Sequence, residues 1–260
     1  MRRIYNHLVK SRKFEYFIFT FILVGSFVVR LYKINSPIAD WHSWRQVDTA
    51  AVARIYLNDG IDLLNPRYYD ISSIQTGYVN PLGKRLVEFP IYNAIHTLSY
   101  KAFPKISFEA WGRLISIFCS LGTIVIVYLL GRKYIGNFGG ILGAFFVGFV
   151  PFSIYYSRVI LPESMATFVA VAGIWFFSQY IDRDSKIELF LGAIMFSVSL
   201  LVKPYAAFYG LVIVYLVIKK FGIKKIFTNI PLLLSLDIAL IPFLLWRAWI
   251  FPQIEGIPHL

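Results

Sequence analysis

The 260 residues are 58% hydrophobic and 15% charged, with a formal net charge of +12 and a mean hydropathy of +0.64. A soluble domain is nearer half apolar and a quarter charged, so these values exclude an ordinary soluble globular protein. The positive surplus does not mark a nucleic-acid partner, because the basic residues stand in short clusters at the ends of apolar runs, where they act as topology signals.

A helix crossing the hydrocarbon core needs about 20 predominantly apolar residues. Seven stretches qualify in chain order: Phe14 to Leu31, Leu114 to Leu130, Phe138 to Tyr155, Ser164 to Tyr180, Leu189 to Val202, Tyr205 to Ile218 and Ile230 to Ile250. Pro204 divides the short fifth and sixth, which read as two spans joined by a tight turn in preference to a re-entrant pair. The fold class is therefore all-α, a polytopic transmembrane bundle of about seven spans, read as a single transmembrane domain over 1–260. The first span is 14–31, a long loop covers 35–111, and the remaining spans fill 114–250.

Basic clusters precede the first span (Arg2, Arg3, Lys10, Arg12, Lys13) and follow the second (Arg132, Lys133), fourth (Arg183, Lys186) and sixth (Lys219, Lys220, Lys224, Lys225). Seven alternating spans put all four clusters on one side, which the positive-inside rule makes cytoplasmic. The expectation is a multi-pass protein of the cell membrane, inner or plasma, with a cytoplasmic N-terminus. The basic start followed by a long apolar run without an A-x-A site reads as an uncleaved signal anchor. Trp41, Trp44, Trp111, Trp246 and Trp249 fall near the opposite interface, as an aromatic belt would. The four-residue spacings Gly139–Gly143 and Ala144–Gly148 read as ordinary helix packing.

The segment Asn35 to Trp111 is the long outer loop. It holds seven of the 14 acidic residues and seven basic ones, so the surplus charge lies outside it. Asp48-Thr49 opens a helical stretch, Ala50 to Leu57, closed by Asn58, Asp59 and Gly60, which suits Asp48 to an N-cap. Asn65 to Gly83 is loop, and Pro90 to Phe103 is a second helix suited to the membrane interface. Phosphate-loop, H-E-x-x-H and paired-cysteine patterns do not occur; four scattered histidines and one cysteine, Cys119, argue against a histidine or thiolate metal site.

Four strings then stand in order: ADWHSWRQVDTAAVAR from Ala39, EFPIYNA from Glu88, RVILPES from Arg158 and LLVKP from Leu200. Together with the topology they resemble the GT-C superfamily, in particular the glycosyltransferase family 39 group, which includes protein O-mannosyltransferases and the bacterial lipid A aminoarabinose transferase. The resemblance covers about Ala39 to Trp249. It implies a helical bundle whose first outer loop carries two interfacial helices. It also implies transfer of a sugar from a polyprenyl-phosphate donor to a hydroxyl-bearing acceptor (glycan, lipid or protein) at the outer face. Membrane lipid is then a partner and nucleic acid is not.

The resemblance points to an acid early in the first outer loop and to a second between the third and fourth spans. Asp40 is the first choice for the former, with Asp48 its rival, and Glu163 is the latter. The family's usual Asp-Glu pair is missing from this loop, which leaves the choice between Asp40 and Asp48 open. Some members use a divalent ion, which makes Asp40 and Glu163 the metal ligands; Mg²⁺ or Mn²⁺ suits such oxygen donors. No nucleotide cofactor is implied. Lys84, Arg85, Arg158 and Lys203 are candidate cations for the donor phosphate. His42 and Arg45 are candidates to hold phosphate or assist the acid, and Arg45 also suits a pair with Asp48. Glu88 occupies the place of a phosphate-contacting lysine of the aminoarabinose transferase, a role an acid does not inherit. Arg158 and Lys203 also suit snorkelling at membrane ends. Asp237 lies inside the seventh span, where a carboxylate suits a hydrogen bond within the bundle. The competing class is a non-enzymatic transporter or lipid flippase. Relatives usually run through more spans, which implies a truncated or shortened and inactive relative as a further alternative.

Overall fold

A computed structural model describes residues 12–40 and 42–257. The basic residues Arg2, Arg3 and Lys10, together with His7, Trp41 and His259, lie outside the described residues. The chain forms α1 (Arg12–Arg30), α2 (Ser43–Asp59), α3 (Ile91–Ala102), α4 (Phe108–Tyr134), α5 (Asn137–Phe149), α6 (Pro151–Tyr156), α7 (Glu163–Arg183), α8 (Lys186–Val202), a 3₁₀ turn over Pro204–Tyr209, α9 (Gly210–Phe221), α10 (Ile223–Ile226) and α11 (Ile230–Ile250). Among the described residues there is no strand, only an isolated bridge between Arg67 and Lys84. The chain is an all-α membrane helix bundle. By length and composition, α4, α7, the Pro204–Phe221 segment and α11 are able to cross a bilayer, and α5 is a shorter apolar helix.

The helix ends follow from local chemistry. Ser107 caps α4 by accepting from the Ala110 N–H, with Glu109 in the first turn and Arg132 and Lys133 in the last, each complementing the helix dipole. Asn229 caps α11 by accepting from the Leu232 N–H. Contacts between ends show that successive segments alternate in direction. At the end remote from residues 31–107, Glu15 pairs with Arg132 (3.1 Å) and accepts from the Tyr128 hydroxyl (2.7 Å), and Lys133 pairs with Asp182 (2.6 Å). At the loop end, the Phe89 N–H donates to Leu201 O and the Leu86 N–H to Gly256 O.

Close packing relies on small residues. Gly192 of α8 lies against α7 so tightly that a methyl group there would stand 2.8 Å from the Phe177 ring. In α5 the buried residues are Gly140, Ala144 and Gly148, four apart along one face. The stripe is shifted from the predicted Gly139–Gly143 pair, and a Cβ on Gly140 would meet Tyr128 O of α4 at 2.8 Å.

The third predicted span is not one helix. Pro151 has no N–H to offer Val147 O, and the chain breaks at Val150 between α5 and α6. The freed carbonyls are met by Arg30, the last residue of α1. Its guanidinium is fully buried. It donates to Gly148 O (2.8 Å), Val147 O (3.4 Å), Ser26 O (3.0 Å), Ser157 Oγ (2.6 Å) and Ser153 Oγ (3.1 Å). Non-helical backbone at membrane depth is tolerated where protein groups re-satisfy it. Two other expectations change here. Trp246 is buried against Phe89 and Leu86 instead of joining an interfacial belt. Asp237 is exposed on the outside of α11, because its helix turns Ser235 and Ala239 inward.

Two outcomes test these contacts. Arg30→Leu strands at least two carbonyls and should lower stability by about 2–4 kcal/mol, seen as a lower melting temperature in detergent. His96 is fully buried between α3 and α4, one ring nitrogen bonded to Phe108 O at 2.7 Å. Burial pulls its pKa down to about 4, against the backbone bond that favours the proton. An unfolded histidine titrates near 6.5, so the unfolded chain binds more protons between these values. Acidification from pH 7 to pH 5 should therefore remove on the order of 2 kcal/mol. His96→Asn should flatten that dependence of the melting temperature.

Candidate active site

The loop end of the bundle is built on α2 and α3. Asn93 donates to Thr49 O (2.7 Å) and Thr97 to Ala53 O (2.8 Å), so two helices rich in small buried residues lock side by side. Tyr92 donates to Gly112 O (2.6 Å), fastening the pair to α4. Arg113, also buried, donates to Ile34 O and Ser36 O and fixes the approach to Asp40.

α2 begins at Ser43, well before the predicted Asp48. Its start is set by His42, which adopts a left-handed φ of 57°, a conformation uncommon for a non-glycine residue. Asp48 is therefore no N-cap: it sits inside α2, buried, and accepts an ion pair from Arg85 (3.3 Å) and a bond from Gln75 (3.2 Å). Arg45, one turn earlier, pairs with Glu88 rather than with Asp48.

Four charges converge there. Arg45 Nη2 lies 3.0 Å from Glu88 Oε1 and 3.8 Å from Glu163 Oε1. Lys203 Nζ lies 2.6 Å from the same Glu88 oxygen and 2.9 Å from Glu163 Oε1. Each group comes from a different part of the chain. Glu88 is set by the Phe89–Leu201 backbone bond, Glu163 by the first turn of α7 after Pro162, and Lys203 by the break between α8 and the 3₁₀ turn. The second Glu163 oxygen is buried without a hydrogen-bond partner. Burial pushes the Glu88 carboxyl up, but Lys203 and Arg45 outweigh it and hold the group below its ordinary range. Asp48 shows the reverse: burial raises it, and the opposing pull of Arg85 does not cancel that rise.

Asp40 joins through Gln46, a fully buried residue the sequence reading passed over although it lies within its longest motif. Gln46 donates to Asp40 Oδ1 (2.7 Å) and accepts from the Ile160 N–H (3.1 Å), tying Asp40 to the segment that presents Glu163. His42 lies 3.2 Å from the Tyr156 hydroxyl. Two predicted cations are engaged elsewhere. Lys84 pairs with Glu255 (3.0 Å), and Arg158 donates to Tyr32 O (2.8 Å) beside the rings of Tyr32 and Tyr155.

Of the oxygens expected to face a divalent ion, Glu163 Oε1 is held by the Lys203 ammonium and Asp40 Oδ1 by the Gln46 amide, whereas the second Glu163 oxygen has no hydrogen-bond partner. Among the described residues no three His, Cys, Asp or Glu side chains are placed as a metal site.

Beyond the cluster, α9 packs on α7 and α11 packs on α8. The gap between them encloses about 360 Å³ lined almost wholly by apolar side chains, with Leu200 and Ala207 at the Lys203 end and Ile226 and Leu232 at the other.

A membrane bundle with paired acids and cations gathered at one end defines a polytopic membrane protein with an end-on polar site. The model of the dolichyl-phosphate-mannose-protein mannosyltransferase family matches residues 89–249, and the chain belongs to that family. It is thus a membrane glycosyltransferase of the mannosyltransferase type. No curated protein and no solved structure matches it. The matched region includes Glu163 and Lys203, whereas Asp40, Arg45, Asp48 and Glu88 precede it.

Gln46→Leu should leave the Ile160 N–H unpaired and cost about 1–3 kcal/mol, read as a lower melting temperature. Gln46→Glu, which keeps the acceptor, should lose less despite its added charge beside Asp40.

Proposed function

We propose that the protein moves a sugar from a polyprenyl-phosphate donor to a hydroxyl-bearing acceptor at the non-cytoplasmic face of the membrane. The observation that carries this reading is the convergence of Arg45 and Lys203 on Glu88 and Glu163 at the loop end of a bundle that also holds an apolar gap, whose lining reaches Leu200, three residues before Lys203. A lipid phosphate needs that combination: cations for the phosphate and an apolar path for its chain. The face is supported by charge. Arg132, Lys133 and Arg183 sit at the opposite end of the bundle, which the positive-inside rule makes cytoplasmic.

In the reaction, the acceptor oxygen attacks the anomeric carbon. The bond from that carbon to the phosphate oxygen breaks, and its electron pair leaves with the lipid phosphate. Arg45 and Lys203 stabilise the charge that grows on the phosphate. The acceptor proton passes to a carboxylate. Asp48 suits this better than Asp40, because burial lifts its pKa toward the range where a general base works. Asp48 also shares Arg85 with Gln75 and stands one helical turn from Arg45. Asp40, held by Gln46, orients the segment that presents Glu163 and acts as a positioning residue. Glu163 holds Lys203 in place, and His42 flanks the entrance to α2. The residues' chemistry supplies this sequence without a step through a metal.

The test is a panel of labelled lipid-phosphate sugars given to the purified full chain in lipid nanodiscs, with release of lipid phosphate followed. Asp48→Asn should lower the rate by about 10²–10⁴, and Asp40→Asn by less. Equal loss in both variants would return the base to an open choice, and no release from any lipid-phosphate sugar would overturn the reading.

A further inference from the structure

Arg45 and Lys203 do not reach Glu88 at separate atoms. Both contact one oxygen, Oε1, at 3.0 and 2.6 Å. Such a fork, two cations on one acceptor oxygen, is how a phosphate oxygen is held. Glu163 Oε1 pairs with Lys203 at 2.9 Å and lies 3.8 Å from Arg45. Two cations against two carboxylates leave the cluster with no net charge to attract an anion.

We propose that Glu88 is a positioning and release-determining residue: its carboxylate stands where a donor phosphate oxygen binds, and the two exchange for Arg45 and Lys203 in each turnover. The proposal rests on the lipid-phosphate reading and deepens it. Three observations support it. Glu88 stands on the irregular segment between the Arg67–Lys84 bridge and α3, where the Phe89–Leu201 bond holds the backbone but the side chain is free of the rotamer limits of a helix. Glu163 is instead anchored in the first turn of α7. Lys203 is nine-tenths buried, so an unpaired ammonium there is costly, and a carboxylate that returns after each phosphate leaves removes that cost. The exchange also answers a chemical problem. A phosphodiester carries one negative charge and the departing monoester roughly two at neutral pH. A site with surplus positive charge would hold the product tightest and release it slowest.

The experiment measures binding of polyprenyl phosphate, without sugar or acceptor, to the full chain in nanodiscs, by calorimetry and by the ligand-induced shift in melting temperature. Glu88→Gln should bind it about tenfold more tightly than wild type, the effect of removing one negative charge beside a bound anion. In turnover the same variant should show stronger inhibition by polyprenyl phosphate and a KM for donor that falls together with kcat. Unchanged or weaker binding by Glu88→Gln overturns the proposal. So does equal tightening by Glu163→Gln, which would make net charge alone the cause. Should Glu88→Gln fail to fold, Glu88→Asp carries the test. Its carboxylate falls one methylene short of the shared position, so it should bind several-fold more tightly, and binding no tighter than wild type overturns the proposal. Lys203→Gln separates the two levels of the reading. Loss of binding in Lys203→Gln without a gain in Glu88→Gln fails the Glu88 exchange alone. No binding by wild type or any variant removes the lipid-phosphate reading and the exchange with it.

Discussion

Lys203 leaves the end of α8 with its side chain only 9% exposed, and a nearly buried ammonium is tolerable only beside anions. That constraint organises the loop end of the molecule. It draws Glu163 from the start of α7 and Glu88 from the polar segment, and Glu88 in turn draws Arg45 from α2. Four stretches far apart in sequence are thus tied by one small group of charges. Hydrophobic packing alone would not select this arrangement, because apolar contacts carry little direction and, in lipid, little driving force.

The same logic explains the two breaks in helical structure. At Val150–Pro151 the backbone opens because proline cannot donate, and Arg30 satisfies the carbonyls. At Lys203–Pro204 the helix stops, and the chain continues as a 3₁₀ turn that keeps Lys203 beside its anions. The first break precedes Glu163 and the second follows α8, so both bring irregular chain to the loop end. Irregular backbone points side chains in directions a continuous helix does not allow, which suits a site assembled from single residues on several elements.

Much of this was legible in the sequence, for identifiable reasons. Apolar runs ended by charges or prolines mark α7 and α11 to within a few residues and the body of α4, which begins earlier at Phe108, because length and hydropathy dominate in lipid. Lys203 and Glu163 were visible as charges at helix ends within ordered motifs. The break at Val150 was not, since Pro151 follows an unbroken apolar run and its consequence depends on Arg30, more than a hundred residues away. The start of α2 was misplaced because Asp48-Thr49 imitates a capping signal, whereas the actual start depends on the left-handed backbone of His42. Gln46 offers no periodicity or charge to notice; only its contacts with Asp40 and Ile160 give it meaning. Lys84 and Arg158 satisfied every local criterion for a phosphate contact and were claimed by Glu255 and Tyr32, partners a one-dimensional reading does not reveal.

The distribution of polar groups through the bundle bears on the choice between a transferase and a transporter. A transporter carries its polar site near mid-membrane, on interrupted helices. Here polar side chains along the described helices are satisfied by nearby backbone. Ser199 donates to Ala166 O, Thr123 to Cys119 O, and Ser235 to Leu232 O. Such bonds close each group within its own helix or onto the neighbouring one and line no path. Asp237 is exposed on the outside of α11, away from any passage between helices. The ion pairs gather at the two ends instead: Glu15–Arg132 and Lys133–Asp182 at one, the Arg45–Glu88–Lys203–Glu163 group at the other. Ion pairs kept to the ends of the bundle, with four charges converging at the loop end, suit chemistry on an amphiphile whose head stays at the surface. They do not suit carriage of a polar solute across the bilayer.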